Sequence, residues 1–93
     1  MSEQESVSFQ VWLTYDLDKH RVAAELVLSD GSSWPFDVEH QSVWHAEPEV
    51  HKRLTGMGYR TDGWTVEAED SNGPLVVWSR WTGPPDAGNL AQL

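Results

Sequence analysis

Trp64-Thr65-Val66-Glu67-Ala68-Glu69-Asp70-Ser71-Asn72-Gly73-Pro74-Leu75-Val76-Val77-Trp78-Ser79-Arg80-Trp81 is the stretch that decides the fold of this 93-residue chain. Before the break at Ser71 to Pro74, Trp64, Val66 and Ala68 alternate with Thr65, Glu67 and Glu69, the period-2 pattern of a half-buried strand. After it, Leu75, Val77, Ser79 and Trp81 alternate with Val76, Trp78 and Arg80. A break rich in Asn, Gly and Pro between two such runs predicts a hairpin. A four-residue loop over Ser71 to Pro74 sets Asp70 opposite Leu75, Ala68 opposite Val77 and Trp64 opposite Trp81. Glu67 then meets Trp78 on the other face, and Thr65 meets Arg80. A two-residue Asn72-Gly73 turn gives the same register but needs an N–H at position 74, which proline lacks, so the longer loop is preferred.

Working back from this hairpin, Val7, Phe9, Val11, Leu13 and Tyr15 alternate with polar residues and with Trp12, predicting a first strand. A turn at Asp16 to Lys19 leads to a second strand, His20 to Leu28, with Val22, Ala24, Leu26 and Leu28 on one face. The implied register pairs Tyr15 with His20, Leu13 with Val22, Val11 with Ala24 and Phe9 with Leu26. A three-residue loop, Asp30 to Ser32, leads to a short third strand and sets Trp34 opposite Leu28. Pro35 makes that strand an edge. From His40 to Tyr59 the period changes, and Val43, Val50, Leu54 and Met57 form a helical stripe. Pro48 lies near its first position, with Glu47 and Glu49 in the first turn, Lys52 and Arg53 towards the end, and Gly56 and Gly58 as the stop. The stripe predicts about three turns.

The order is therefore β-β-β-α-β-β. It predicts an α+β domain in which an antiparallel sheet of about five strands carries one helix on one face. Residues 1–6 are expected to be a disordered N-terminus, 7–81 the domain and 82–93 a flexible tail. Pattern does not fix the strand order across the helix crossover. If the last hairpin pairs with the first strand, Trp12 and Trp78 come onto the same exposed face.

Composition narrows the function classes. Fifteen acidic residues against six basic ones leave a net charge of −9, which disfavours direct binding to nucleic acid or anionic membrane. Basic proteins remain compatible, although such acidity also serves solubility. There is no cysteine, no apolar run long enough to span a bilayer, and an acidic polar start unlike a signal peptide, so a cytoplasmic setting is the default. No cofactor is implied. Of six tryptophans, Trp34, Trp64 and Trp81 fall on the apolar phase, Trp12 and Trp78 on the opposite phase, and Trp44 in a connection.

That distribution makes the open sheet face the leading candidate site. Trp12, Val76, Trp78 and Arg80, with Glu67 beside them, would form a protein-binding patch among Gln10, Thr14, Arg21, Ala23, Glu25 and Val27. The plainer alternative is that Trp78 only stabilises its hairpin through cross-strand contacts. His40, His45 and His51, with Glu39, Glu47 and Glu49, lack ligand spacing for a metal, although Glu47 and His51 share a helix face. No nucleophile elbow or phosphate loop occurs, so no catalytic residue is assigned. A carboxylate row at Asp62, Glu67, Glu69 and Asp70 is interrupted by Arg80, Arg21, Lys52 and Arg53. These features point to a small acidic, non-catalytic interaction module, regulatory or accessory, that binds a protein partner or a second copy. The alternatives are an acidic inhibitor or DNA mimic of a nucleic-acid-binding protein, and a small-ligand binder with a Trp-lined pocket.

Overall fold

The structure, a computed structural model, describes residues 7–36, 38, 42–71 and 73–83. Its elements are β1 (Val7–Asp16), β2 (Arg21–Leu28), β3 (Ser33–Phe36), α1 (Val43–Gly56), β4 (Arg60–Asp70) and β5 (Gly73–Gly83). They form the expected α+β fold: one antiparallel sheet in the order β3-β2-β1-β5-β4, with the single helix packed mainly on β1 and β5. β5 runs past Trp81 to Gly83, so the domain extends two residues beyond its expected limit. Residues 1–6 and 84–93, expected to be disordered or flexible, lie outside the described residues.

Strand parity sets the core. Phe9, Val11 and Leu13 of β1, Val22, Ala24 and Leu26 of β2, and Val77 and Trp81 of β5 are buried under Val43, Ala46, Val50 and Leu54 of α1. Each large apolar side chain removed from water in this way contributes about 1.5–3 kcal/mol. Trp81 is fully enclosed, and its indole Nε1 donates to the hydroxyl of buried Ser79 at 2.5 Å. Two polar groups that would otherwise be buried unpaired therefore satisfy each other.

The first two hairpins keep the expected faces but slip by two residues. The last slips by two over most of its length, but register shifts in β4 set Ala68 opposite out-facing Val76. Tyr15 faces Val22 rather than His20, and Leu13 faces Ala24. The Asp16 carboxylate accepts the N–H groups of Asp18 and Lys19 at 3.0 and 3.2 Å, so the turn starts one residue later than expected. Trp34 faces Leu26 rather than Leu28, because the loop occupies Ser29 to Gly31. Leu28 N–H donates to the Ser32 carbonyl at 2.8 Å across it. In the last hairpin Asp70 pairs with Gly73, so only residues 71 and 72 lie in the turn, and the expected four-residue loop is overturned. Trp64 consequently faces Ser79 instead of Trp81, and Thr65 rather than Glu67 sits opposite Trp78. Gly73, at φ +125°, accommodates this turn, and a Cβ there would run into the Trp44 indole. Pro74 is tolerated because it lies beyond Val76, the last β5 residue paired with β1.

The helix begins at Val43, five residues before the Pro48 start expected from sequence. Ser42 is its N-cap, its hydroxyl accepting the His45 N–H at 3.3 Å. Glu47 and Glu49 are therefore not first-turn residues, and the first turn holds no acid. Pro48 falls inside the helix and removes the N–H that would bond the Trp44 carbonyl. Both residues are on the exposed side of the helix, where a carbonyl without its helical donor is least costly. The other end stops as the glycines predict. Gly58 adopts φ +95°, its N–H donates to Thr55 at 3.1 Å, and Tyr59 N–H reaches back to Leu54 at 3.0 Å.

α1 packs on β1 and β5 and leaves much of the neighbouring edge strand β4 exposed. On β4 the alternation does not become burial: Val66 is 50% exposed and Ala68 is also exposed. Trp64 is half-buried, with its ring edge-on to Trp81 at 6.3 Å.

Candidate protein-interaction face

The side of the sheet opposite α1 has no described element packed on it. β5 lies beside β1, which supplies the condition under which the two out-facing tryptophans meet. Trp12 is opposite Trp78, Gln10 is opposite Arg80 and Thr14 is opposite Val76. On the far side of β1, Glu25 lies opposite Trp12, Ala23 opposite Thr14 and Val27 opposite Gln10. The structure thus brings Trp12, Val76, Trp78 and Arg80 onto one surface, with Glu67 joined to it by a hydrogen bond.

At its centre the two indoles stack, with ring centroids 5.8 Å apart and planes 20° from parallel. Such a pair contributes about 0.5–1.5 kcal/mol beyond the area it buries. Each ring also has its polar atom occupied. Trp12 Nε1 donates to Gln10 Oε1 at 3.0 Å, and Trp78 Nε1 donates to Glu67 Oε1 at 2.5 Å. The bulge between Val66 and Ala68 lies where Glu67 makes this contact. Both rings are half-buried among their neighbours, while Thr14, Ala23, Glu25, Glu67 and Arg80 are exposed. The result is a rigid apolar centre with a mixed-charge rim, and its donors need no new partner when water is displaced.

The other candidates are more dispersed. His45 is tied to its own N-cap, with Nδ1 2.7 Å from the Ser42 hydroxyl. His51 Nδ1 accepts the Trp64 indole N–H at 3.4 Å, and its ring stands edge-on to Trp81 at 5.3 Å. Burial holds the neighbouring Glu47 carboxyl above its ordinary range, and His51 pulls it back the other way. Glu39 and His40 lie outside the described residues. Among the described residues no group of three or more His, Asp or Glu could hold a metal ion. Nor is any helix long and apolar enough to cross a membrane. Asp62, Glu67, Glu69 and Asp70 are all exposed along β4. A hollow of about 340 Å³ opens between the β1–β2 turn, the start of α1 and the β4–β5 turn, lined by Tyr15, Leu17, His20, Trp44 and Leu75.

Two features escaped the sequence pattern. Trp44, assigned to a connection, is the second residue of α1 and 66% exposed. Val66, assigned to the core, lines open surface; nothing in a period-2 pattern tells which strand the helix leaves uncovered. No family model matches the chain, and neither curated proteins nor solved structures include a significant match to it.

Proposed function

We propose that this protein is a non-catalytic interaction module, regulatory or accessory in role, which captures a protein partner through the sheet face centred on Trp12 and Trp78. One observation carries the reading: a stacked indole pair stands at the middle of a sheet face on which no described element packs, with both N–H groups already hydrogen-bonded. Large rigid rings of this kind lose little entropy when desolvated, which is why tryptophan and arginine recur at binding hot spots. Val76 extends the apolar centre, while Arg80 and Glu67 supply rim charges of opposite sign.

The test is capture from native lysate by immobilised protein, with three variants run in parallel at low and moderate salt. Trp78→Ala removes the stack by deleting one of its two rings. Ala23→Lys adds bulk at an exposed position diagonal to Trp12 without removing any packing. Asp18→Asn makes the same change of net charge in the exposed β1–β2 turn. The reading requires capture to fall with the first two, persist with the third and survive moderate salt. Capture that collapses with salt and ignores Ala23→Lys would favour the acidic-inhibitor class instead, because exposed charges are screened over about 10 Å at 0.1 M salt.

A further inference from the structure

The two edges of the sheet differ. β3 has four residues and contains Pro35, the usual protection of an edge. β4 has 11 residues, and among the described residues no strand pairs with its outer side. Beside it, on the helix side of the sheet, a hollow of about 560 Å³ is lined by Glu47, Pro48, His51, Lys52, Thr55 and Trp64. Register shifts interrupt β4 between Thr61 and Trp64 and again after Val66, leaving Trp64 to Val66 as a regular run between them. Val66, 50% exposed, sits in that run. The described residues thus combine an unpaired strand edge, a shallow open hollow between edge and helix that half-buried Trp64 lines, and exposed Val66 on the same edge.

We propose that β4 is a second docking surface, which binds an extended segment of a partner protein by strand addition. The segment carries apolar residues at alternate positions and Lys or Arg between them. Pairing along Trp64 to Val66 supplies main-chain hydrogen bonds, and the period of two sends alternate side chains to opposite faces. Those on the helix side enter the hollow against Trp64 and Pro48, with Val66 exposed on the strand beside it. Basic residues on the other positions meet the exposed carboxylates of Asp62, Glu67 and Glu69. Charge also argues against the two occupants nearest to hand. A second copy pairing β4 to β4 would crowd the acidic residues of both strands onto one short ladder, where like charges destabilise. Residues 84–93 contain no Lys or Arg and offer these carboxylates nothing.

The experiment is an NMR titration of the isotope-labelled full chain with a short peptide of alternating valine and lysine. Two companion peptides are run beside it: one with glutamate in place of lysine, the other N-methylated on the amides of one edge. The parent peptide should shift the amides of Thr65 and Val66 and the Trp64 indole N–H, and slow hydrogen exchange along β4. N-methylation, glutamate replacement and the surface variant Val66→Arg should each weaken binding about tenfold or more, a change of about 1.4 kcal/mol. Equal binding of the N-methylated peptide would overturn the proposal, because it would show adhesion by charge alone. Shifts confined to Trp12 and Trp78 would move the peptide to the opposite face. Concentration-dependent broadening of β4 without peptide would make a second copy the occupant.

Discussion

Replacing Trp12 and Trp78 by alanine, singly and together, measures whether the two rings hold each other in place. Each single change removes the whole stack, whose contribution beyond buried area is about 0.5–1.5 kcal/mol. Each also removes a half-buried ring and a hydrogen bond between side chains at the surface, of which the second adds little in water. Trp78→Ala should therefore cost about 1–2 kcal/mol, and Trp12→Ala a similar amount. That moves the thermal midpoint by several degrees, since about 1 kcal/mol corresponds to 4–8 °C in a domain of this size. The double variant should lose less than the sum of the singles, by a coupling of about 0.5–1.5 kcal/mol. Urea denaturation of all four proteins, analysed at a common m-value, gives that coupling directly. Additive losses within about 0.3 kcal/mol would show that the rings do not stack in solution, and the preorganised centre of the face would go with them.

The two helix-side tryptophans should separate in the same assay. Trp81→Ala empties a fully enclosed site and leaves Ser79 without its donor, for a loss of about 3–5 kcal/mol, whereas half-buried Trp64→Ala should cost less than half as much. Equal losses would mean that β4 is covered as thoroughly as β5. Glu47→Gln should stabilise the protein at neutral pH. Burial raises the carboxyl's folded pKa, so its ionisation works against folding as pH rises through that value. The gain should shrink as pH falls below the ordinary glutamate range, and a gain that is constant with pH would contradict the assignment.

The order β-β-β-α-β-β and the inward parity of β1, β2 and β5 were legible because alternation is a local property of the chain. Register was not, for a reason visible at each turn. A slip of two residues leaves every side chain on its original face, so Tyr15 beside His20 and Tyr15 beside Val22 satisfy the same hydrophobic pattern. The choice falls to local hydrogen bonds that the carboxylates of Asp16 and Asp30 accept from backbone N–H groups, residues that composition marks only as turn-forming. The helix start was hidden by Pro48, a stronger visual signal than Ser42, whose third following residue is His45 instead of the Glu or Gln of a capping box. The candidate face was half legible. Out-facing positions placed Trp12 and Trp78 away from the core, but their meeting depends on β5 lying beside β1, a long-range choice that no local period records.

The inequality of the sheet's two margins has a consequence for assembly. Growth of sheets into fibrils requires a donor margin and an acceptor margin on every molecule, so that each addition regenerates a free end. Here, among the described residues, the short, proline-bearing β3 is the poorer margin for pairing and the 11-residue β4 the more open one. If a partner strand adds at β4 as proposed, one added strand per chain is the expected stoichiometry, which sedimentation or light scattering of the complex would check.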